Sequence, residues 1–263
     1  MEFISNSQPA RKSPVPLVDP ERKLALFWMH RCGSTSGQLW FFHAVGWGAR
    51  IPGKGASGLS AEWYEMHKEV YRDLRSVYED ESYLKIAVVR NPLSRVVSAF
   101  SVVTDTITGS QWRAVSRSLE APDSERRLSF NEFLDFLSSI DLARANYHWR
   151  LQTAQDCFQL GLSDVNLVRM ESLQPDLDKM AKKLGIKPIS IGRSSATTKL
   201  DVRTSGLDLL NMTRQDFAEK FGRDKRGVIR FPDYSRFLTS DTNQRIANLY
   251  RADFDGLAYP LPL

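Results

Sequence analysis

Apolar residues along this chain fall into short solid runs and into longer stretches of helical spacing. Leu24-Ala25-Leu26-Phe27-Trp28-Met29 is one solid run, and Tyr83-Leu84-Lys85-Ile86-Ala87-Val88-Val89, broken only by Lys85, is another. Runs of that length without a polar face predict strands buried on both sides of a parallel sheet. Helical spacing marks Gln38-Leu39-Trp40-Phe41-Phe42, Ser60 to Tyr78, Gln174 to Leu184 with Gly185 closing it, Thr213 to Phe221, and Ser240 to Phe254. Ser129-Phe130-Asn131-Glu132 opens a further helix with the spacing of a capping box. Thr104 to Arg127 is polar and irregular, as in an insert or lid, and Gly192 to Lys199 reads as a polar loop. Strands alternating with helices over short connections predict an α/β fold: a P-loop-like, open, mainly parallel β-sheet flanked by helices.

Composition narrows the class. The 263 residues suit one sizeable domain, here residues 23–263, behind a flexible Pro-rich and basic arm over residues 1–22. Hydrophobic content of 42% beside 25% charged residues is that of a soluble globular protein, and no apolar run approaches the ~20 residues that span a bilayer. Cys32 and Cys157 are too few for a disulfide framework or a four-cysteine zinc site, so free thiols, a cytoplasmic setting and no metal are expected. A net charge of +5 fits an anionic ligand. It would equally fit nucleic acid, but the chain has no nucleic-acid module and no dense basic run, so no such partner is expected.

Candidate chemistry lies where the two solid runs stop. The first ends in His30-Arg31-Cys32-Gly33-Ser34-Thr35-Ser36 and passes straight into a helix. The first N–H groups of a helix have no internal acceptor, so a strand, a glycine turn and a helix start form a cradle for an anion. Gly33 allows close approach, three hydroxyls add donors and Arg31 adds fixed charge. An ordinary turn with a capping serine would carry the same residues. The second run ends in Arg90-Asn91-Pro92-Leu93-Ser94-Arg95-Val96-Val97-Ser98-Ala99-Phe100. Pro92 suits a first helical turn, and Arg90 stands at a strand's carboxyl end, where open α/β sheets bind ligands.

Together these segments resemble the sulfotransferases that use 3′-phosphoadenosine 5′-phosphosulfate (PAPS). Arg31-Cys32-Gly33-Ser34-Thr35 is similar to their Lys-x-Gly-Thr/Ser-Thr/Ser loop for the 5′-phosphosulfate, with Arg in place of Lys. Arg90 through Phe100 is similar to their segment for the 3′-phosphate, with Asn91 where Asp is commoner. Tyr147-His148-Trp149-Arg150-Leu151-Gln152 resembles the His-Trp-x-Pro-Gln segment of carbohydrate sulfotransferases, with Leu151 in place of Pro. Asn166 to Leu173 and Tyr250 to Tyr259 resemble their later strand and their C-terminal tail. The resemblance implies sulfuryl transfer from PAPS, leaving 3′-phosphoadenosine 5′-phosphate, to an acceptor hydroxyl of a carbohydrate, glycolipid or other small molecule. It assigns the nucleotide to Arg31, Cys32, Gly33, Ser34, Thr35, Ser36, Arg90 and Ser98, and to Thr197 and Lys199 in the polar loop. Golgi members carry a membrane anchor, and no such apolar segment stands in this sequence, so either a truncated chain or a soluble, bacterial type of relative is expected, the second in preference.

Relatives use His or Glu to take the acceptor's proton. Of four histidines, His148 in the His-Trp segment is the first candidate and His67, between the two phosphate segments, the second. Glu62 and Glu65 stand behind them, and Arg31 shares the catalytic role through charge on the leaving phosphate. A P-loop kinase or NTPase is the competing enzyme, and a catalytically inactive nucleotide-binding scaffold the non-enzymatic alternative. Gly48 to Lys54 nearly matches the kinase signature, but Gly55 replaces the metal-binding hydroxyl and no strand precedes it.

Overall fold

The computed structural model describes residues 14–105, 115, 128–191, 208–223 and 229–262. They form two compact units: the first holds the chain up to Asn91 and again from Gln152, and the second holds Pro92–Leu151 and the C-terminal part.

The first unit is built on a four-stranded sheet in the order β1 (Leu17–Asp19), β2 (Leu24–Phe27), β3 (Leu84–Val89), β4 (Asn166–Arg169). β2, β3 and β4 run parallel, with Leu26 beside Ile86 and Val88 beside Val168. β1 pairs antiparallel on the outer side of β2. The sheet is therefore open, mixed and mainly parallel, as the solid apolar runs predict. On one face Leu24, Leu26, Ile86, Val88 and Val168 pack with Trp40, Phe41 and Phe42 of helix α1 (Ser34–Ala44) and with Leu177 and Met180 of the helix Leu173–Lys183. Gly37 sets the closeness of α1 to the sheet, since a Cβ there would lie 2.9 Å from Val88 Cγ2. On the other side Phe27 meets Tyr78 of α3 (Leu74–Glu79), with ring centres 5.5 Å apart. Lys85, which interrupts the second run, is buried and donates to Asp164 Oδ2 (2.6 Å) and the Asp80 carbonyl (2.9 Å).

The outer strand is covered by side chains. Trp63 Nε1 donates to the Val18 carbonyl (2.9 Å), and the Val18 N–H donates to the Tyr71 hydroxyl (3.1 Å). Both groups would otherwise offer an open sheet edge. Trp63 belongs to α2 (Ile51–Met66), which is broken at Gly55 (φ 65°, ψ 178°). The single helix expected from Ser60 to Tyr78 is thus the end of α2, a 3₁₀ turn at Val70–Arg72, and α3. Asp73 caps α3 by accepting from the Ser76 N–H, and that cap is what divides the stretch.

The second unit is helical around an aromatic core. Helix α4 (Pro92–Asp105) presents Phe100 to Phe130, Phe133, Phe217, Phe231 and Phe237, all with ring centres 5.2–6.3 Å away. Phe130 opens α5 (Phe130–Ser138), whose capping box between Ser129 and Glu132 is present as its spacing predicts. The C-terminal stretch from Ser240 divides at Tyr250 into two helices, Ser240–Leu249 and Arg251–Gly256. Tyr250 is buried and donates its hydroxyl proton to the Trp149 carbonyl (2.6 Å).

Candidate functional site

The three parallel strands of the first unit deliver their carboxyl ends to one edge of the sheet. β2 leads into Arg31–Ser36, β3 into Arg90-Asn91, and β4 into Met170-Glu171. Arg31 (φ 69°) and Gly33 (φ 78°) are left-handed, while Cys32 between them is not. Such alternation of hand turns successive N–H groups toward one concave point, the arrangement of an anion-binding nest. The first internal bond of α1 runs from the Gly37 N–H to the Gly33 carbonyl (3.0 Å). The N–H groups of Gly33, Ser34, Thr35 and Ser36 thus precede the helical ladder, and Gly33, as N-cap, has no side chain to take them up. No acidic residue stands in that first turn.

Gly33 is required for two separate reasons. Its φ is one that L side chains rarely adopt, and an added Cβ would lie 2.4 Å from Met170 Sδ. The end of β4 therefore forms the wall against which the loop is seated.

Arg90 joins this loop directly. Its Nη1 donates to the Arg31 carbonyl at 3.1 Å, so the guanidinium of one segment touches the backbone of the other. Buried Gln152 ties the same parts again: its Oε1 accepts from the Arg90 N–H (2.8 Å) and the Cys32 thiol (3.0 Å), and its Nε2 donates to the Arg90 carbonyl (2.8 Å). The next N–H along, that of Asn91, donates to Glu171 Oε1 (2.8 Å). The structure thus brings Arg31, Cys32, Gly33, Ser34, Thr35, Ser36 and Arg90 together. Gln152, Met170 and Glu171 had no assigned role in the sequence reading. The signal for Gln152 was its place in the His-Trp-x-x-Gln segment, and that for Glu171 its place just after a strand.

Ser98 and His148 belong to the second unit. Ser98 is buried on α4, and its carbonyl accepts from the Ser101 hydroxyl (2.9 Å). Arg95, one turn earlier, is 1% exposed and donates to the carbonyls of Arg150 (2.7 Å) and Tyr147 (3.4 Å). The Tyr147–Arg150 turn is pinned again by the Asn146 carbonyl, which accepts from the N–H groups of Trp149 and Arg150, and by the Tyr250 hydroxyl on Trp149. His148 sits in this turn, buried, with its ring 4.8 Å from that of Tyr147 and its N–H on Asn146 Oδ1 (3.0 Å).

His67 lies at the end of α2, its ring centre 4.1 Å from that of Trp63 and tilted 34° to it, beside the β1 edge. Glu62 is held by Lys54 and Arg50, and the Lys54 hydrogen bond draws its carboxyl below the usual range. Lys54, the lysine of the near-match to a kinase loop, is thereby engaged on a helix instead of at a strand end. Burial pushes the Cys157 thiol up to about 12. Thr197, Lys199 and most of the insert from Thr104 to Arg127 lie outside the described residues. Among the described residues no group of His, Cys, Asp and Glu could hold a metal ion, and no helix is long and apolar enough to cross a membrane.

Comparison with known proteins points the same way as this edge of the sheet. No curated protein and no solved structure matches the chain. Residues 16–260 match the profile of the sulfotransferase family. That match spans both units and every segment described above, and the chain belongs to the sulfotransferase family.

Proposed function

We propose that this sulfotransferase takes the sulfuryl group from 3′-phosphoadenosine 5′-phosphosulfate and passes it to an acceptor hydroxyl, with a carbohydrate or glycolipid as the acceptor class. One observation carries the donor assignment. A nest at a helix start and an arginine at the neighbouring strand end are bonded to each other, Arg90 Nη1 to the Arg31 carbonyl. A ligand with two separated phosphate groups would use both. The residues fit it: four N–H donors from Gly33 to Ser36, hydroxyls on Ser34, Thr35 and Ser36, and fixed charge from Arg31 and Arg90.

In this reading the nest takes the 5′-phosphosulfate and Arg90 the 3′-phosphate. As sulfuryl leaves, negative charge grows on the 5′-phosphate, and donors already aimed at it stabilise the transition state without reorganising. Arg31 adds charge there as a planar fork in place of a lysine point charge. Because arginine stays protonated throughout, it acts by electrostatics and donates no proton to the departing oxygen. From the resemblance, Ser98, Thr197 and Lys199 add donors to the nucleotide. His148 is the candidate base for the acceptor proton, with His67 second. The backbone bonds that pin the turn around His148 support it as the positioned base. A soluble, cytoplasmic enzyme without a metal completes the reading.

The test is turnover of sulfate-labelled donor against a panel of sugars, glycolipids, phenols and small alcohols, read by mass spectrometry. A mass gain of ~80 Da on a sugar acceptor, the net addition of SO3 with –SO3H in place of the hydroxyl hydrogen, supports the assignment, in which positioning and charge supply the rate. Sulfation confined to phenols would remove the carbohydrate class, and no turnover with any acceptor would favour the inactive scaffold.

A further inference from the structure

Gln152 occupies a special place in the backbone of the first unit. The β3–β4 ladder ends with Val89 beside Arg169, so Arg90 is the first residue of β3's chain beyond it. There the Gln152 side-chain amide takes over, bonding both the N–H and the carbonyl of Arg90 at 2.8 Å, as a neighbouring strand would. The same Oε1 also accepts from the Cys32 thiol at 3.0 Å, between the two left-handed residues of the nest. Gln152 is 0% exposed and Cys32 is 0% exposed, so water cannot replace these bonds. An amide is suited to this task, because it offers an acceptor and a donor side by side. A carboxylate lacks the donor for the Arg90 carbonyl, and a thioether has no donor and only a weak acceptor.

We infer that Gln152 is a positioning residue that sets the Arg90 guanidinium and the Arg31–Gly33 nest in register for one ligand carrying two phosphate groups. The inference rests on the proposed donor. Gln152 acts through Arg90 and Cys32 and needs no contact with the nucleotide. If Arg90 swings away, the nest keeps its own donors but loses the bond from Arg90 to the Arg31 carbonyl. Both phosphate contacts then weaken together.

The experiment is a double-mutant cycle on the full chain, with calorimetry of 3′-phosphoadenosine 5′-phosphate against wild type, Gln152→Met, Arg90→Ala and the double variant. Gln152→Met keeps length and volume and removes the polar bonds. Its expected affinity is down ~tenfold, with donor KM raised and kcat within ~threefold. On the Arg90→Ala background the same change is expected to cost no more than ~threefold, because the arginine it positions is gone and only its bond to the Cys32 thiol remains to be lost. Folded Gln152→Met with wild-type affinity overturns the inference and leaves the donor assignment standing, and so does a fully additive cycle. Should Gln152→Met melt below the assay temperature, Cys32→Ala, which deletes only the thiol donor, is read in its place. A fall of ~threefold that Cys32→Ser restores supports the inference, and no change overturns it. A wild-type protein that does not bind the nucleotide overturns both readings.

Discussion

Replacing Gly33 by alanine tests the nest through two costs that can be separated. Alanine must adopt φ 78°, which costs roughly 1–2 kcal/mol for a residue with a Cβ. Its methyl group would also meet Met170 Sδ at 2.4 Å, well inside contact distance. Overpacking of this kind costs typically ~1–3 kcal/mol, reduced where a flexible chain can withdraw. Met170 can withdraw in part, so a total of about 2–4 kcal/mol is expected. Part of it would appear as lost stability, at ~2–4 °C of Tm per kcal/mol for a chain of this size. The rest would appear as a displaced loop and a fall of at least ~tenfold in affinity for 3′-phosphoadenosine 5′-phosphate, one decade for each ~1.4 kcal/mol. The double variant Gly33→Ala with Met170→Ala removes the clash but not the backbone strain. Relative to Met170→Ala alone, Gly33→Ala should then cost only ~1–2 kcal/mol. Thermal unfolding and calorimetry on the four proteins measure both parts. A Gly33→Ala protein with wild-type Tm and affinity would refute the argument that this loop's shape is what the ligand requires.

Arg90→Ala should weaken the same nucleotide by ~tenfold or more, and Arg90→Lys should not restore it, since a lysine cannot reproduce the planar fork seated on the Arg31 carbonyl. His148→Ala should lower kcat by ~10²-fold with nucleotide affinity intact, and His67→Ala, which loses a tilted ring contact with Trp63, should not. If His67→Ala shows the kcat loss instead, the base is reassigned. Cys157 should resist alkylation in the native protein at pH 8 and react in urea, as peptide mass spectrometry would show, because a thiol pushed up to about 12 holds only about 10⁻⁴ thiolate there. The folded state keeps that proton more tightly than the unfolded chain does. The stability it contributes is complete below ~8.5 and is lost as pH climbs from there toward about 12.

The strands and the nest were legible because their signals are local. Solid apolar runs give β2 and β3, and a glycine among hydroxyls at a strand end gives the cradle. The fate of Arg95 was not legible. It shares a motif with Arg90 and sits at helical spacing with Ser98, yet it is buried and serves the carbonyls of Tyr147 and Arg150, more than fifty residues away. Periodicity says which helix face is apolar; it does not say which cation on that face finds distant carbonyls. Gln152 was hidden for the same reason, since its partners Cys32 and Arg90 are 120 and 62 positions distant. The extent of α2 was obscured by its own composition. Pro52, Gly53, Gly55 and Gly58 argue against a helix, but burial of Leu59 and Trp63 and a break at Gly55 accommodate one. Residues that joined segments, and not those that ended them, were the ones sequence pattern could not supply.

Calorimetric titration of the wild-type chain with 3′-phosphoadenosine 5′-phosphate in excess EDTA tests the central claim most directly. In this account Arg31, Arg90 and the N–H groups of Gly33 to Ser36 supply the positive potential that a metal supplies in NTPases. Saturable binding of one nucleotide per chain should survive the chelator, and ATP with Mg²⁺ should compete poorly. Loss of binding in EDTA, or tighter binding of ATP with Mg²⁺, would contradict it.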